Sequence, residues 1–225
     1  VIGVRAFSDD VQTISQFGVA YMAGMQSQGL LACAKHFPGH GNTSTDSHHT
    51  LPIVKAKYAQ LDTCDLIPFR NLIDEGLSMV MVAHIALPGL GLPDSVPASL
   101  RHEVTTTLLR DSLGFQGLIC TDALNMKGAT GKLKPEEVAL RAYLAGADIL
   151  LCPDNVAGGI KAIANAVKHK KITEAEVNLR AKRLLLAKYS AVKAQQERIA
   201  TVAQRTTSED ARSEQERNDL SARIA

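Results

Sequence analysis

Apolar residues along this chain form short continuous runs that alternate with longer stretches of helical period. Four runs predict buried β-strands, at residues 30–35, 79–84, 118–122 and 148–152. Capping residues and apolar spacing predict six helices. The first begins after Ser8-Asp9-Asp10, and the second and third cover residues 61–72 and 99–113. The fourth begins at Pro135, the fifth begins around Ile160, and the sixth runs from a capping box at Thr173 to near Tyr189. This alternation predicts an α/β fold, in which a parallel sheet is covered by helices.

Polar side chains stand where each predicted strand ends, at Lys35-His36, His84, Asp122 and residues 153–155. An open sheet gathers its site at one switch point, whereas a barrel distributes it over the ends of many strands. We therefore predict a (β/α)8 TIM-type barrel. Because such a barrel needs eight strands, we expect only its C-terminal part here, about four βα units, with the N-terminal strands preceding residue 1.

The predicted catalytic domain covers residues 1–190, and residues 191–225, rich in Gln, Glu, Arg and Ala, predict a helical or disordered connector toward a possible further domain. The formal net charge of +2, without a basic cluster, argues against nucleic acid as a partner and suits a small neutral or mildly charged substrate. No run predicts a membrane span. The cysteines lie in apolar or helical patterns, which predicts free thiols and favours a cytoplasmic over a periplasmic or extracellular location.

The segment KHFPGHGNTSTDSH (residues 35–48) directly follows the first predicted strand and brings a lysine, imidazoles and a carboxylate into one loop. Asp46 lies two residues before His48, close enough to orient the imidazole as a general acid/base. A solvated polar loop is the plain alternative. Zinc is another, with ligands drawn from His36, His40, Asp46, His48 and His49, but the glycines and proline make a helical His-x3-His pair improbable, so we predict no metal.

Asp122 follows the third predicted strand directly, where a carboxylate would be fixed in position as a nucleophile must be. It could equally cap the helix that follows. The histidine acid/base on a neighbouring loop favours the nucleophile, because retaining glycoside hydrolysis needs one carboxylate nucleophile and one proton donor.

Together with MVAH (81–84) and TDALNM (121–126), this loop motif resembles glycoside hydrolase family 3, in its bacterial β-N-acetylglucosaminidase (β-N-acetylhexosaminidase) branch. The resemblance runs from residue 1 to about residue 189. It implies that Asp122 is the nucleophile, that His48 is the acid/base and that Asp46 orients it. It also implies that Arg5, Lys35 and His36 bind the sugar.

The resemblance implies a retaining exo-glycosidase that needs no cofactor and releases terminal N-acetylglucosamine from peptidoglycan fragments, as in peptidoglycan recycling, or from chitin-like oligosaccharides. A phosphorylase of the same family and an inactive sugar-binding module are the alternatives. Buried lysine would be costly without a partner, so we expect a polar group beside Lys35. Ala123 stands where close relatives often carry a second Asp, and the family's acidic residue for the distal hydroxyls would precede residue 1.

Overall fold

The computed structural model describes residues 3–41, 43 and 50–224. Its strands are β1 (Cys33–Phe37), β2 (Met79–Val82) and β3 (Leu118–Thr121). Its main helices are α1 (Val11–Ser27), α2 (Leu66–Asp74), α3 (Glu103–Ser112, with π-type hydrogen bonding), α4 (Pro135–Ala145), α5 (Val156–Lys168) and α6 (Glu174–Ile224). Short helical turns lie at Gly3–Arg5, Tyr58–Gln60, Leu61–Asp65, Pro88–Leu90, Ala98–Leu100 and Lys127–Thr130.

The strands form a parallel sheet in the order β1-β2-β3, and helices follow each strand. The predicted α/β class is therefore confirmed. The carboxyl ends of the three strands lie at one edge of this sheet, where the sequence places its polar residues. The partial barrel stays a prediction, because three strands do not define a closed sheet.

The fourth predicted strand, residues 148–152, is not a full strand but pairs with β3 through a single bridge between Cys120 and Ile149. Two side chains take positions that backbone carbonyls would hold in a regular ladder. The hydroxyl of Thr121 accepts the N–H of Leu151 at 3.1 Å, and the carboxylate of Asp148 accepts the N–H of Ile119 at 2.9 Å. These bonds keep the segment beside β3 while interrupting the regular ladder.

The main hydrophobic core lies between the sheet and helices α1, α2 and α3. Val80 and Val82 of β2 are fully buried there, and the rings of Phe37 and Phe69 meet edge to face with centroids 5.2 Å apart. Each such side chain contributes about 1.5–3 kcal/mol when fully buried. The core thus fixes β1 and β2 from one side and sets the positions of their carboxyl ends.

Local capping signals were predicted correctly. The Asp10 carboxylate accepts the N–H of Thr13 at 2.7 Å at the start of α1, and Pro135 is the first residue of α4. Thr173 and Glu176 form the predicted capping box, because the Glu176 carboxylate accepts the Thr173 N–H at 2.8 Å and the Thr173 hydroxyl accepts the Glu176 N–H at 3.1 Å.

The predicted end of the last helix near Tyr189 is wrong, because α6 continues to Ile224. Residues 190–224 contain no glycine or proline and are rich in strong helix formers, so nothing in their composition stops the helix. The connector was predicted to be helical or disordered, and the backbone of residues 191–224 is helical. The domain boundary at residue 190 coincides with no break in α6 and stays a prediction.

Helix α6 is anchored at the amino end of the fourth segment. Arg183 lies 3.1 Å from the carboxylate of Asp148, which is fully buried and also pairs with Arg110 at 2.9 Å. Arg180 donates to the carbonyl of Ala147 at 3.1 Å and lies 4.0 Å above the ring of Tyr143. Charged groups therefore hold this edge of the sheet, opposite the edge that carries the candidate site.

Candidate active site

Lys35 and His36 lie near the carboxyl end of β1, where the pairing with β2 changes register. Lys35 pairs with Met81 and Phe37 with Val82, so His36 lies in an irregularity of the ladder. The Lys35 side chain is exposed at this edge. Because the side chain is exposed, the cost of burial gives no reason to expect a polar partner, and the polar group beside Lys35 stays a prediction.

Asp122 directly follows β3, and its backbone N–H still donates to the Val82 carbonyl of β2 at 3.0 Å. One carboxylate oxygen, Oδ1, accepts the N–H of Ala123 at 2.8 Å. The other, Oδ2, lies 3.8 Å from Nε2 of His36, and the two side chains are only 17% and 12% exposed. This separation is too long for a hydrogen bond but short enough for an ion pair when the imidazole is protonated. The structure thus brings together two of the predicted site residues.

His84 follows β2 and is fully buried beside this carboxylate. Its Nε2 lies 3.0 Å from the Ala123 carbonyl, and its Nδ1 lies 2.7 Å from the Ser99 hydroxyl. A carbonyl can only accept, so Nε2 carries the proton and Nδ1 accepts from Ser99. Burial lowers the pKa of His84, although the neighbouring Asp122 opposes that shift. A neutral imidazole with both nitrogens bonded is suited to holding the site in shape.

His40 is also buried, at the start of the predicted catalytic loop. Its Nδ1 lies 2.5 Å from the Thr43 hydroxyl, which in turn donates to the His40 carbonyl at 2.8 Å. The His40 ring meets the His36 ring edge to face, with centroids 5.7 Å apart. His40 therefore supports His36 and fixes the first turn of the loop.

Gly39 begins the loop with φ at +139°, a conformation that other residues rarely adopt. A Cβ atom at this position would lie 2.5 Å from Oδ1 of Asp65. Burial raises the pKa of the Asp65 carboxyl, which is packed against this glycine. The loop thus leaves β1 at a point where the backbone of Gly39 lies so close to the Asp65 side chain that only glycine fits.

Three of the six predicted site residues are not placed by the structure at the level of their side chains. Asp46 and His48 lie outside the described residues, and Arg5 is described only as backbone in the turn Gly3–Arg5. The acid/base pair and the arginine contact stay predictions.

Three ligands of the zinc alternative, Asp46, His48 and His49, lie outside the described residues. Over residues 3–41, 43 and 50–224, no group of three or more His, Cys, Asp or Glu side chains is placed to hold a metal ion.

All four cysteines are free thiols. No helix in the described part of the chain is long and apolar enough to cross a membrane.

Sequence reasoning missed Ser99 and the carbonyl of Ala123 as parts of the site. Ser99 lies fifteen residues after His84, and no local pattern links a buried serine to a distant imidazole. The Ser99 contact depends on how the loop after β2 returns to the end of its own strand, where the Ser99 N–H donates to the Ala83 carbonyl at 3.2 Å. The Ala123 contact depends on the pairing of β2 with β3.

The model of the glycosyl hydrolase family 3 N-terminal domain matches residues 1–187. The chain belongs to glycoside hydrolase family 3. A β-hexosaminidase of Nitrosospira multiformis is 42% identical over 155 residues, which cover 69% of this chain and 44% of that protein. A β-hexosaminidase of Tolumonas auensis is 37% identical over 177 residues, covering 78% of this chain and 52% of the relative. The chain therefore spans about half the length of these curated relatives.

Among solved structures, a family 3 β-N-acetylglucosaminidase from Paenibacillus superposes with a TM-score of 0.80 at 36% identity, over 85% of this chain and 37% of the other. A β-glucoside phosphorylase superposes with a TM-score of 0.78 at 28% identity, over 84% of this chain and 35% of the other. The predicted resemblance to family 3 and its β-N-acetylglucosaminidase branch is thus confirmed.

Proposed function

We propose that this chain carries the catalytic centre of a retaining exo-β-N-acetylglucosaminidase that acts on peptidoglycan fragments or chitin-like oligosaccharides. The observation that carries the proposal is the position of Asp122. Its carboxylate stands at the carboxyl end of β3 with one oxygen held by the Ala123 N–H and the other facing His36 across 3.8 Å. The names of the family 3 relatives support N-acetylglucosamine as the sugar.

In the first step, Oδ2 of Asp122 forms a bond to the anomeric carbon while the bond from that carbon to the glycosidic oxygen breaks. The Ala123 N–H fixes Oδ1, so the carboxylate meets the sugar in one orientation. His48 donates its proton to the departing oxygen, with Asp46 orienting the imidazole. Because a histidine has a pKa near neutrality, it can serve at working pH without the burial that a glutamic acid would need.

In the second step, a water molecule attacks the anomeric carbon, gives its proton to His48 and releases the carboxylate of Asp122. The same histidine thus acts first as acid and then as base. His36, which faces the carboxylate, and the exposed Lys35 next to it in β1 are the proposed ligands of sugar hydroxyls or the acetamido group. Arg5 is the third proposed sugar ligand.

Phosphorolysis is a second candidate, favoured by the likeness to a β-glucoside phosphorylase. In that reaction phosphate replaces water as the attacking group, and a histidine acid/base would not repel the anion as a carboxylate would. Product analysis separates the two, since hydrolysis releases N-acetylglucosamine whereas phosphorolysis releases its 1-phosphate. An inactive sugar-binding module would yield neither product.

The decisive experiment is intact-mass spectrometry of the full-length protein after incubation with 2,4-dinitrophenyl 2-acetamido-2-deoxy-5-fluoro-β-glucoside. Wild type should gain one sugar mass, and peptide mapping should locate it on Asp122. Asp122→Ala should gain none, while the control Asp154→Ala, which removes an exposed carboxylate from the end of the neighbouring segment, should label like wild type. An adduct on another residue, or none on an active enzyme, would exclude Asp122 as the nucleophile.

A further inference from the structure

We propose that His84 is a positioning residue for Asp122, and that it acts through the backbone of Ala123 and is itself oriented by Ser99. The inference rests on the proposed role of Asp122 as nucleophile and adds to it a set of hydrogen bonds that orient the carboxylate. Three hydrogen bonds form the connection. Ser99 donates to His84, His84 donates to the Ala123 carbonyl, and the Ala123 N–H donates to Oδ1 of Asp122.

The donor and acceptor properties of the partners fix the direction of each of these three hydrogen bonds. The Ala123 carbonyl can only accept, so the proton of the neutral imidazole must lie on Nε2. Nδ1 is then an acceptor, and the Ser99 hydroxyl is its donor at 2.7 Å. If the imidazole adopted the other tautomer, two lone pairs would face each other at Nε2 and the Ala123 oxygen. The Ala123 carbonyl therefore selects the tautomer, and Ser99 stabilises it by donating to Nδ1.

Ala123 is held on each side of its Cα atom, and this makes it a rigid support for the carboxylate. Its N–H contacts Asp122 at 2.8 Å and its carbonyl contacts His84 at 3.0 Å. The same peptide is held at its other end as well, because the N–H of Leu124 donates to the Leu151 carbonyl at 2.8 Å. Without the His84 bond, the carbonyl of Ala123 would lose its buried donor, and this peptide would be held less firmly, through its N–H to Leu151.

Strand β2 supplies both restraints on Asp122. The Val82 carbonyl, at the end of β2, accepts the Asp122 N–H at 3.0 Å, and His84 follows two residues later. The backbone and the carboxylate of Asp122 are thus both positioned by β2 and the residues that follow it, and β2 packs inside the main core. This arrangement suits a nucleophile, since an error of about 1 Å in its position can cost about a hundredfold in rate.

The test compares His84→Leu, His84→Gln and Ser99→Ala with wild type in the full-length protein. Leucine removes both imidazole nitrogens, glutamine keeps an N–H donor in a similar place, and alanine at position 99 removes only the donor to Nδ1. The control is Thr105→Val, which removes another fully buried hydroxyl from the same region, one that donates to the Ala98 carbonyl at 3.2 Å.

The readout is the single-turnover rate of glycosyl-enzyme formation from an activated aryl N-acetylglucosaminide, with the dissociation constant of N-acetylglucosamine measured alongside. We expect His84→Leu to slow this rate by about 10- to 100-fold and Ser99→Ala by about 3- to 10-fold. His84→Gln should recover to within about fivefold of wild type. Sugar affinity should change less than about twofold throughout, and Thr105→Val should form the intermediate at the wild-type rate.

Two results would overturn the role of His84. One is a folded His84→Leu that forms the intermediate at the wild-type rate, and the other is a His84→Gln no faster than His84→Leu. Should the leucine variant not fold, Ser99→Ala decides, because a wild-type rate there would exclude the proposed chain of hydrogen bonds. Failure of wild type to form any adduct on Asp122 would instead refute the proposed nucleophile, so the two ideas fail in different ways.

Discussion

Two aspartates of this chain lie at opposite edges of the same sheet and are treated very differently by the fold. Asp148, at the amino edge, is fully buried and accepts from two guanidinium groups, those of Arg110 and Arg183, and from the backbone N–H of Ile119. Asp122, at the carboxyl edge, is held by one backbone N–H and faces the imidazole of His36 at a distance beyond hydrogen bonding.

The difference shows how one fold can use the same side chain for stability and for chemistry. A carboxylate whose oxygens are already bonded to charged partners has little capacity to react, and removing it leaves those charges buried. A carboxylate with one oxygen fixed and the other facing an imidazole beyond hydrogen-bond distance keeps a lone pair for an incoming atom. Stability should therefore depend on Asp148 and activity on Asp122, and substitutions can test that division.

The largest effect is expected for Asp122→Ala, which should lower kcat/KM on aryl N-acetylglucosaminides by about four orders of magnitude or more. The thermal midpoint should stay close to wild type, because among the described residues this carboxylate accepts one backbone hydrogen bond and approaches His36 at 3.8 Å. Steady-state kinetics and calorimetry on the same preparation check both parts. A large fall in Tm would show that Asp122 serves the fold as Asp148 does, and would weaken the comparison.

His48→Ala should give the next largest loss, about two to four orders of magnitude in turnover on substrates with poor leaving groups. Activated aryl glycosides need little protonation of the leaving oxygen, so their turnover should fall much less. The measurement is kcat for a series of aryl N-acetylglucosaminides that differ in leaving-group pKa. Equal losses along the series would remove His48 from the acid role.

At the other edge, Asp148→Asn should lower the free energy of unfolding by about 3–5 kcal/mol, because it leaves the guanidinium of Arg110 buried without a counter-charge. The folded fraction should keep its activity. Urea unfolding gives the free energy, and Asp62→Asn is the matched control, since the Asp62 carboxylate pairs with Arg70 nearer the surface and its loss should leave stability almost unchanged. Equal effects at the two positions would contradict the special role of Asp148.

The two edges also differ in how far the sequence predicts them. The carboxyl edge was foreseen because Lys35, His36 and Asp122 each follow an apolar run directly, and parallel strands bring their ends together. The amino edge was not foreseen, because Asp148 appears in the sequence only as the first residue of an apolar run. Its partner Arg110 lies near the end of a predicted helix.

The predicted fourth strand failed, and the partners of His84 were missed, because side-chain contacts distant in sequence replaced local preference. The hydroxyl of Thr121 and the carboxylate of Asp148 take ladder positions, so the fourth run forms a bridge and not a strand. The bond between His84 and Ser99 likewise depends on tertiary packing. Capping signals at Asp10 and Thr173 succeeded because donor and acceptor lie within one turn of each other.

The smallest predicted effect concerns pH and follows from the buried imidazole at the carboxyl edge. Burial lowers the pKa of His84 below its ordinary value of 6.5, so below that pH the unfolded chain binds a proton that the folded chain does not. Stability from this group is thus fully present above about pH 6.5 and is lost as the pH falls toward the lowered pKa, by at most about 1.4 kcal/mol per pH unit.

Urea unfolding of wild type and His84→Gln at pH 7 and pH 5 measures this loss. Glutamine cannot take up a proton, so the variant should lose less stability than wild type between the two pH values. His169→Gln, which removes an exposed histidine at the end of α5, is the control and should keep the wild-type dependence. If His84→Gln also keeps it, then the acid sensitivity of the fold arises elsewhere, and the carboxyl edge is less dependent on a neutral imidazole than the contacts of His84 imply.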